Sequence, residues 1–272
     1  MKLLLTFFLL VMLMPASVAA QRSNAHAPLS RAQIKEAERR LSDLGYWTGA
    51  VDGIVDPGTQ SALTAFQKWG GRAVTGRLTI DELEAIRAGA APRARESGYE
   101  HVEVDVDRQV LMLVSGDGDV RVLPVSTGNN KTFVVEGQES IAYTPRGRFL
   151  VYYKETGWQS GSIGSTYYAN FISGGVAIHG SRSVPNEPAS HGCIRIPMFA
   201  AVEVSQLLKL GTIVLVYDQF SFVSAKDWAR NPQLKQAALW NLTDEAEEDM
   251  EETKAPPKPI GIKRSRVRMV RS

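Results

Sequence analysis

The stretch HVEVDVDRQVLMLVSGDGDVRVLPVSTG, residues 101–128, decides the fold class of the larger predicted domain of this chain. Valine occupies every second position from Val102 to Val106 and charged residues lie between, a pattern typical of a half-buried strand. Residues 110–114 and 120–124 repeat the alternation, with the turn sequence GDGD between them. This period of two predicts a mostly β region.

Apolar runs further along the chain extend this region to residue 217. Residues 149–153 and 212–217 predict additional strands, whereas residues 198–210 are the one segment here that predicts a helix. We therefore expect residues 99–217 to form a mostly β domain, either a sandwich or a partly open barrel.

Upstream of the β region, apolar residues recur with helical spacing instead of alternating, and residues 30–88 predict a small helical domain. Ser30 and Gln33 have the spacing of a capping box before an apolar helical face. Asp56 followed by Pro57 is typical of an N-cap with proline at the first helical position. A further capping-box spacing later in the segment indicates a third helix, so three helices are expected.

The N-terminus has the order of a secretory signal peptide over residues 1–20. Lys2 precedes a nearly unbroken apolar run over residues 3–14, Pro15 breaks it, and small residues precede Gln21. The apolar run is short for a membrane span. We expect an exported protein of the periplasm or cell wall, with no integral membrane span once the segment is cleaved; uncleaved, the same run would be an anchor.

Composition separates the remaining segments. Residues 89–98, rich in Ala, Arg, Gly and Pro, predict a linker. Residues 218–272 carry an acidic block at 244–252 and a basic block at 263–271, which predicts a largely disordered tail. The formal net charge of +2, with lysines and arginines dispersed up to the tail, gives no basic face for nucleic acid.

The chain has a single cysteine, Cys193. Exported proteins use cysteines mainly as disulfide pairs, and one cysteine forms no internal pair. Cys193 lies in the run SHGCIR at 190–195, and HGS at 179–181 precedes it. Because a thiol at its ordinary pKa is only partly ionised at neutral pH, a nucleophilic cysteine needs a base within hydrogen-bond reach.

Two histidines are candidates for that base. His191 is only two residues from Cys193, whereas His179 is far enough upstream to come from a neighbouring strand, which makes His179 the better candidate. Gly192 allows a tight turn whose backbone N–H groups could hold an oxyanion. This pattern indicates acyl-transfer chemistry. A zinc site using His179, His191 and Cys193 is an alternative on the same residues.

The motif closely resembles the catalytic domain of the L,D-transpeptidases, the YkuD family. HGS at 179–181 followed by SHGCIR at 190–195 carries the resemblance, and VSTG at 125–128 and TPRGRF at 144–149 match the family upstream. LSDLGYWTGAVDG at 41–53, with Thr59 and the following Phe-Gln pair, resembles the peptidoglycan-binding domain 1 family. The fold so implied is a β-sandwich-like catalytic domain with a small N-terminal three-helix domain.

The resemblance assigns roles to individual residues. Cys193 is the nucleophile and His179 its general base. The backbone N–H groups around Gly192 and Cys193 form the oxyanion hole, in a turn that includes His191 and that Ser190 orients. The candidate substrate contacts are Arg195, Ser181, Trp158 and Tyr168. No metal or cofactor is implied, the partner is peptidoglycan, and we expect a monomer.

The family acts on the stem tetrapeptide of peptidoglycan and is acylated by carbapenems. The resemblance implies cleavage before the terminal D-Ala through a cysteine thioester, then transfer to an amine, in cell-wall synthesis and the maintenance of cell shape. Resolution of the thioester by water, as in an L,D-carboxypeptidase or endopeptidase, stays open, as does a wall-binding protein with an inactive catalytic domain. The sequence leaves the acceptor undecided among a stem peptide, a D-amino acid and a lipoprotein.

Overall fold

The computed structural model describes residues 28–221. The chain divides into two units, Met1–Pro92 and Arg93–Ser272. The predicted signal peptide, residues 1–20, and the predicted tail beyond residue 221 lie outside the described residues. Within residues 28–221, none of the helices has the length and apolar character needed to cross a membrane.

The first unit contains the three predicted helices, α1 (Arg31–Asp43), α2 (Pro57–Trp69) and α3 (Ile80–Ala88). Each begins after a side chain that accepts a hydrogen bond from the first turn, where backbone N–H groups have no partner within the helix. The Ser30 hydroxyl accepts from the Gln33 N–H at 3.3 Å, and the Gln33 side chain accepts from the Ser30 N–H at 2.9 Å. The prediction of a three-helix domain is confirmed.

A buried carboxylate organises the loop between α1 and α2. Glu38 on α1 is fully buried and accepts hydrogen bonds from the Gly53 N–H at 2.8 Å and the Thr59 hydroxyl at 3.0 Å. Gly53 has φ +84°, and a Cβ there would lie 2.6 Å from the carbonyl oxygen of Arg31. The Asp-Gly turn therefore needs glycine, because the backbone passes too close to α1 for a side chain.

The second unit consists mainly of twelve short strands among its described residues. They are β1 (His101–Asp105), β2 (Val110–Val114), β3 (Val120–Pro124), β4 (Thr132–Val135), β5 (Gln138–Ile141), β6 (Gly147–Leu150), β7 (Tyr153–Lys154), β8 (Trp158–Gly161), β9 (Gly164–Ser173), β10 (Val176–Ser181), β11 (Ile194–Pro197) and β12 (Ile213–Tyr217). The first sheet has the order β3-β2-β1-β12-β6, and the second has the order β11-β10-β9-β7 with β8 also paired to β9. β4 and β5 form a separate hairpin. The predicted mostly β, sandwich-like class is confirmed.

Two predicted elements have different limits in the structure. Residues 149–153, predicted as one strand, cross between the sheets: the Val151 N–H donates to Thr212 O beside the first sheet, and the Tyr152 N–H donates to Phe171 O in the second. The predicted helix over residues 198–210 is a 3-10 turn followed by α4 (Ala201–Leu207). The helix ends three residues before the predicted limit at Leu210, and the backbone of Leu208 is already extended, with φ −81° and ψ 94°.

The expectation that β1 is half-buried is wrong, because all five of its residues are buried. Val102 and Val104 face the apolar core as the alternation predicts. The intervening Glu103 is also fully buried and accepts hydrogen bonds from the backbone of the residues before β1 and from the Tyr217 hydroxyl. His101 is also buried, being 2% exposed, and its Nε2 lies 3.1 Å from a carboxylate oxygen of Glu103.

The predicted linker over residues 89–98 is therefore anchored at its end. The N–H groups of Arg95 and Glu96 both donate to the Glu103 carboxylate, at 2.7 and 2.9 Å. The Glu96 carboxylate pairs with Arg148 at 2.8 Å. Through these hydrogen bonds, Glu103 holds the backbone of residues 95 and 96 over the polar face of β1. Burial alone would raise its pKa, but hydrogen bonds from His101, Arg95 and their neighbours outweigh that effect and lower it.

We predict that Glu103→Gln destabilises the protein by roughly 2–3 kcal/mol, because a Gln amide cannot accept all the hydrogen bonds made to a charged carboxylate. Urea unfolding at neutral pH measures this loss. Glu100→Gln, at an exposed neighbouring position, is the matched control and should unfold like wild type.

The same pair of proteins gives a pH test. Because the pKa of Glu103 is lowered in the folded state, its stabilisation is complete above its ordinary value of 4.5 and is lost as the pH falls through the lowered pKa. The stability difference between wild type and Glu103→Gln should narrow on acidification below that value. A difference that stays constant would contradict the hydrogen-bonded carboxylate.

Candidate active site

The second sheet brings His179 and the cysteine segment side by side. β10 carries His179, and β11 begins immediately after Cys193. The two strands are parallel, with His179 opposite Arg195 and Ile178 opposite Ile194. Parallel neighbours require a crossover connection, and the Ser/Pro/Asn-rich segment between the motifs supplies it. His179, Cys193 and Arg195 line one cavity of about 290 Å³.

The Cys193 thiol is held in its protonated form at neutral pH. The residue is partly exposed, and its Sγ lies 3.6 Å from the carbonyl oxygen of Gly175. Burial raises the pKa of the thiol, while the Ala177 N–H and the positive charge of Arg195 oppose that rise without cancelling it. Because the pKa of the thiol is raised on balance, Cys193 needs an adjacent base to become a nucleophile near pH 7.

His179 has the properties of such a base. It is 4% exposed, and its Nδ1 lies 2.9 Å from the carbonyl oxygen of Gly180. A carbonyl only accepts, so Nδ1 carries the proton and Nε2 keeps its lone pair. Burial lowers the pKa of the imidazole, and the charge of Arg195 lowers it further, against the opposing hydrogen bond to Gly180. The ring is therefore neutral and able to accept a proton at neutral pH.

The turn before Cys193 is clamped by the hydroxyl of Ser190. This buried hydroxyl donates to the Cys193 carbonyl oxygen at 2.5 Å and accepts from the Gly192 N–H at 3.0 Å. The sequence favoured the N–H groups of Gly192 and Cys193 as oxyanion donors. In the structure the Gly192 N–H is already used by Ser190, so Gly192 serves the turn itself.

Backbone from the 128–144 segment packs against this turn and explains its glycine. Gly192 has φ +134°, and a Cβ there would lie 2.9 Å from the carbonyl oxygen of Tyr143. The buried Thr144 hydroxyl donates to Gly192 O at 2.6 Å and accepts from the Gly128 N–H at 2.8 Å. Thr144 was not a predicted site residue, although it opens the TPRGRF run that matched the family.

A second buried polar contact holds the same turn from the segment that follows β3. The N–H groups of Ala189 and Ser190 both donate to Thr127 O at 2.9 Å. Thr127 is in turn fixed by Gln109, whose amide donates to the Thr127 hydroxyl at 2.8 Å and accepts from the Thr127 N–H at 2.9 Å. Thr127 lies in the VSTG run, whereas nothing in the sequence indicated Gln109.

Gly180 is required for a different reason. A Cβ at this position would lie 2.5 Å from the Cβ of Ala201 on α4 and 3.2 Å from the Tyr167 ring. The strand carrying His179 therefore packs directly against α4. This close approach fixes the backbone beside the candidate base.

The structure separates the four candidate substrate contacts into two groups. Arg195 and Ser181 line the cavity. Trp158 and Tyr168 are not among its lining residues, and both instead pack on Tyr167, with ring centroids 5.0 and 4.7 Å away.

His191 also lines the cavity, and its exposed ring packs on Phe133 of the β4–β5 hairpin, with centroids 4.6 Å apart. The opposite wall was not predicted from the sequence. It is formed by Glu155 and Phe171 together with the tip of the β8–β9 hairpin. Trp158 and Tyr168 on the strands of this hairpin were predicted from the sequence, whereas its tip has no sequence signal beyond a polar and glycine-rich composition. Residues 28–221 contain no group of three His, Cys, Asp or Glu side chains placed to hold a metal ion.

Comparisons with known families agree with this geometry. The model of the YkuD L,D-transpeptidase catalytic domain matches residues 99–216, and a peptidoglycan binding domain model matches residues 30–86. Comparison with curated proteins gave no match.

Solved structures include several similar proteins. An L,D-transpeptidase from Xylanimonas cellulosilytica is 37% identical, with a match covering 71% of this chain and 95% of that chain at a TM-score of 0.64. An L,D-transpeptidase from Stackebrandtia nassauensis is 22% identical over 67% of this chain and 89% of that chain, with a TM-score of 0.40. The first of these, together with the catalytic-domain match, establishes that this chain belongs to the L,D-transpeptidase family.

Proposed function

We propose that the protein is a cysteine-dependent L,D-transpeptidase that acts on the stem tetrapeptide of peptidoglycan. The observation that carries this proposal is the pairing of β10 with β11, which directs the chain's one cysteine and His179 into one cavity. The family implies cleavage between the third residue and the terminal D-Ala.

The first half-reaction forms a thioester. Nε2 of His179 accepts the Cys193 proton as Sγ attacks the carbonyl carbon of the third residue. The tetrahedral intermediate then collapses: the carbon–nitrogen bond breaks, and D-Ala leaves as its amine takes the proton from His179. Because burial keeps the imidazole neutral and the thiol protonated, proton transfer between them starts from the correct states.

The second half-reaction uses an amine acceptor. Its nitrogen attacks the thioester carbonyl and gives its proton to His179, and the thiolate leaves and is reprotonated. In both halves we assign the developing oxyanion to backbone N–H groups of His191 and Cys193, which flank the Gly192 N–H already used by Ser190. Water in place of the amine would give hydrolysis, and mass spectrometry of muropeptides after incubation with the enzyme distinguishes the two outcomes.

The helical unit is proposed to hold the enzyme on its polymeric substrate. Its match to a peptidoglycan binding domain supports this role, and it also supports action outside the cytoplasm, where the polymer lies. Export through cleavage of residues 1–20, and a monomeric state, are part of the same proposal.

We predict that a carbapenem forms a covalent adduct on Cys193 of the purified protein. Intact-mass and peptide mass spectrometry measure the adduct and its position. Cys193→Ser should lose it. Absence of an adduct on wild type, or its persistence in Cys193→Ser, would contradict the thiol mechanism.

We predict that His179→Ala lowers the acylation rate of Cys193 near neutral pH by roughly 10²- to 10⁴-fold, the usual effect of removing a general base. The raised pKa of the thiol means that unaided thiolate forms only above the ordinary value of 9.0, so the rate should recover in part at high pH. The measurement is the pH–rate profile of acylation.

The matched control is His191→Ala, which should lose much less because its proposed contribution is made by the backbone. Circular dichroism checks that both variants are folded. A folded His179→Ala protein that acylates like wild type, beside an inactive His191→Ala protein, would reverse the assignment of the two histidines.

We predict that deleting residues 21–90 leaves the Cys193 thiol reactive but weakens binding to isolated sacculi. Co-sedimentation with sacculi measures binding, and carbapenem labelling measures the thiol. If the truncated protein sediments as completely as the full-length protein, the helical unit is not the main anchor.

A further inference from the structure

Strand β9 contains one extra residue opposite His179, the candidate base. Its antiparallel pairing with β10 has two register shifts, and the matched pairs on either side of one of them are Ile178 with Asn170 and Gly180 with Tyr167. Between these pairs β10 has one residue, His179, whereas β9 has two, Tyr168 and Ala169. Two residues that oppose one form a β-bulge, which bends its strand and changes the direction of nearby side chains. We call Tyr168 and Ala169 the β9 bulge.

The backbone of the β9 bulge adopts a conformation that its residue types do not favour. Tyr168 has φ +51°, in the left-handed region. Four non-glycine residues among those the structure describes have positive φ, and Tyr168 is the one inside a strand. Because this region is unfavourable for a bulky residue, surrounding contacts must hold it. The Tyr168 N–H donates to Gly157 O at 3.0 Å, and the Glu155 N–H donates to Ala169 O at 2.8 Å.

The side chain of Asn170 holds the bulge from the buried side. Asn170 is fully buried, and its Nδ2 donates to Tyr168 O at 3.0 Å and to Ile178 O at 3.2 Å. Both acceptors are carbonyl groups, which cannot donate, so the amide nitrogen must face them. The Oδ1 atom accepts from the Ser205 hydroxyl of α4 at 3.1 Å. One amide group thus joins the bulge, the strand that carries the base, and α4.

The position of α4 beside that strand is fixed at both ends of the helix. At its end, the ammonium group of Lys154 on β7 donates to the carbonyl oxygen of Ser205. At its beginning, Ala201 lies so close to Gly180 that a Cβ added to the glycine would be 2.5 Å from the Ala201 Cβ. The helix therefore holds the Ser205 hydroxyl at a defined distance from the strand that carries His179.

The bulge changes what stands beside the imidazole. In a regular antiparallel pair, one side chain of β9 would lie directly opposite His179, on the same face of the sheet and with the two Cβ atoms about 5 Å apart. His179 lines the cavity, whereas neither Tyr168 nor Ala169 is among its lining residues. The bulge thus removes the opposing neighbour. Regular pairing resumes at Gly180, whose carbonyl oxygen receives the Nδ1 proton of His179.

We propose that Asn170 is a positioning residue: by holding the β9 bulge, it directs the imidazole of His179 toward the thiol of Cys193. This inference rests on the proposed function, in which His179 accepts the proton of Cys193. Asn170 does not line the cavity, so it acts through the backbone and not through contact with the substrate. Tyr168 supplies the left-handed residue that the bulge requires, and Ser205 supports the amide.

The first test varies the backbone preference at position 168 and leaves Asn170 in place. Tyr168→Gly and Tyr168→Val both remove the ring that packs on Tyr167, but glycine adopts φ +51° readily and a β-branched residue does not. Tyr168→Gly should be acylated by a carbapenem at close to the wild-type rate. Tyr168→Val should be roughly 10- to 100-fold slower near neutral pH, because a displacement of about 1 Å can cost about 100-fold. Tyr168→Asn, which also tolerates this region, should behave like Tyr168→Gly.

The second test asks whether the loss acts through His179. Asn170→Ala should also lower the acylation rate near neutral pH, and the rate should recover in part at high pH, where the thiolate forms without a base, as for His179→Ala. In a His179→Ala background, Asn170→Ala should cause no further loss, because the group that it positions is already absent. Intact-mass spectrometry measures the acylation rate across the pH range for both single variants and the double variant.

Two controls separate positioning from stability. Glu103→Gln removes a buried charged group of the first sheet, so it should lower the free energy of unfolding without changing the acylation rate or its pH profile. Ser205→Ala removes the hydrogen bond to Oδ1 and leaves both of those from Nδ2, so it should lose less activity than Asn170→Ala. Circular dichroism checks that each variant is folded.

The outcomes distinguish this inference from the function beneath it. Equal rates for Tyr168→Gly and Tyr168→Val overturn it, as does an equal loss from Asn170→Ala with and without His179, or a loss that stays unchanged at high pH. If Asn170→Ala does not fold, the comparison of the Tyr168 variants decides alone. If His179→Ala is acylated like wild type, the proposed base is refuted by that single variant, and the inference falls with it.

Discussion

The parallel pairing of β10 with β11 is the constraint on which the active-site geometry depends. Because His179 lies opposite Arg195, Cys193 is carried to the start of the neighbouring strand on the same side of the sheet. Parallel neighbours cannot be joined by a tight hairpin, so the chain leaves the sheet after Ser181 and returns through the turn at 190–193. The crossover that the topology requires is thus also the segment that carries Cys193.

That turn is held by polar contacts in a region where apolar packing would be expected. Ser190, Thr127 and Thr144 are all at most 1% exposed. Each satisfies its hydroxyl or carbonyl within a network that joins the turn to the segments after β3 and β5. A buried polar group without a partner is costly, so the network is stable in one arrangement and poorly tolerant of others. This favours a single position for the cysteine, which acyl transfer requires.

Burial sets the protonation states of His179 and Cys193 in the same region. It lowers the pKa of His179 and raises that of the Cys193 thiol, so both groups are neutral at rest. The nearby guanidinium of Arg195 lowers both values and opposes formation of a resting imidazolium. The cavity thus holds a protonated thiol and a neutral imidazole, and neither group carries a charge at rest.

The sequence by itself determined the class of each domain and the two catalytic candidates. Capping residues, the period of two in β1 to β3, and the spacing of His179 and Cys193 are local signals, and local physics decides them. The extent of burial, in contrast, is not decided by local sequence. The alternation in β1 predicts that Glu103 is exposed, but in the structure the residues before β1 fold over it and bury it. The same holds for Gln109 and Thr144, whose hydrogen-bond partners come from distant segments of the chain. Only the tertiary structure brings those segments together, because sheet order, the crossover and close backbone approaches are set by the packing of the whole unit.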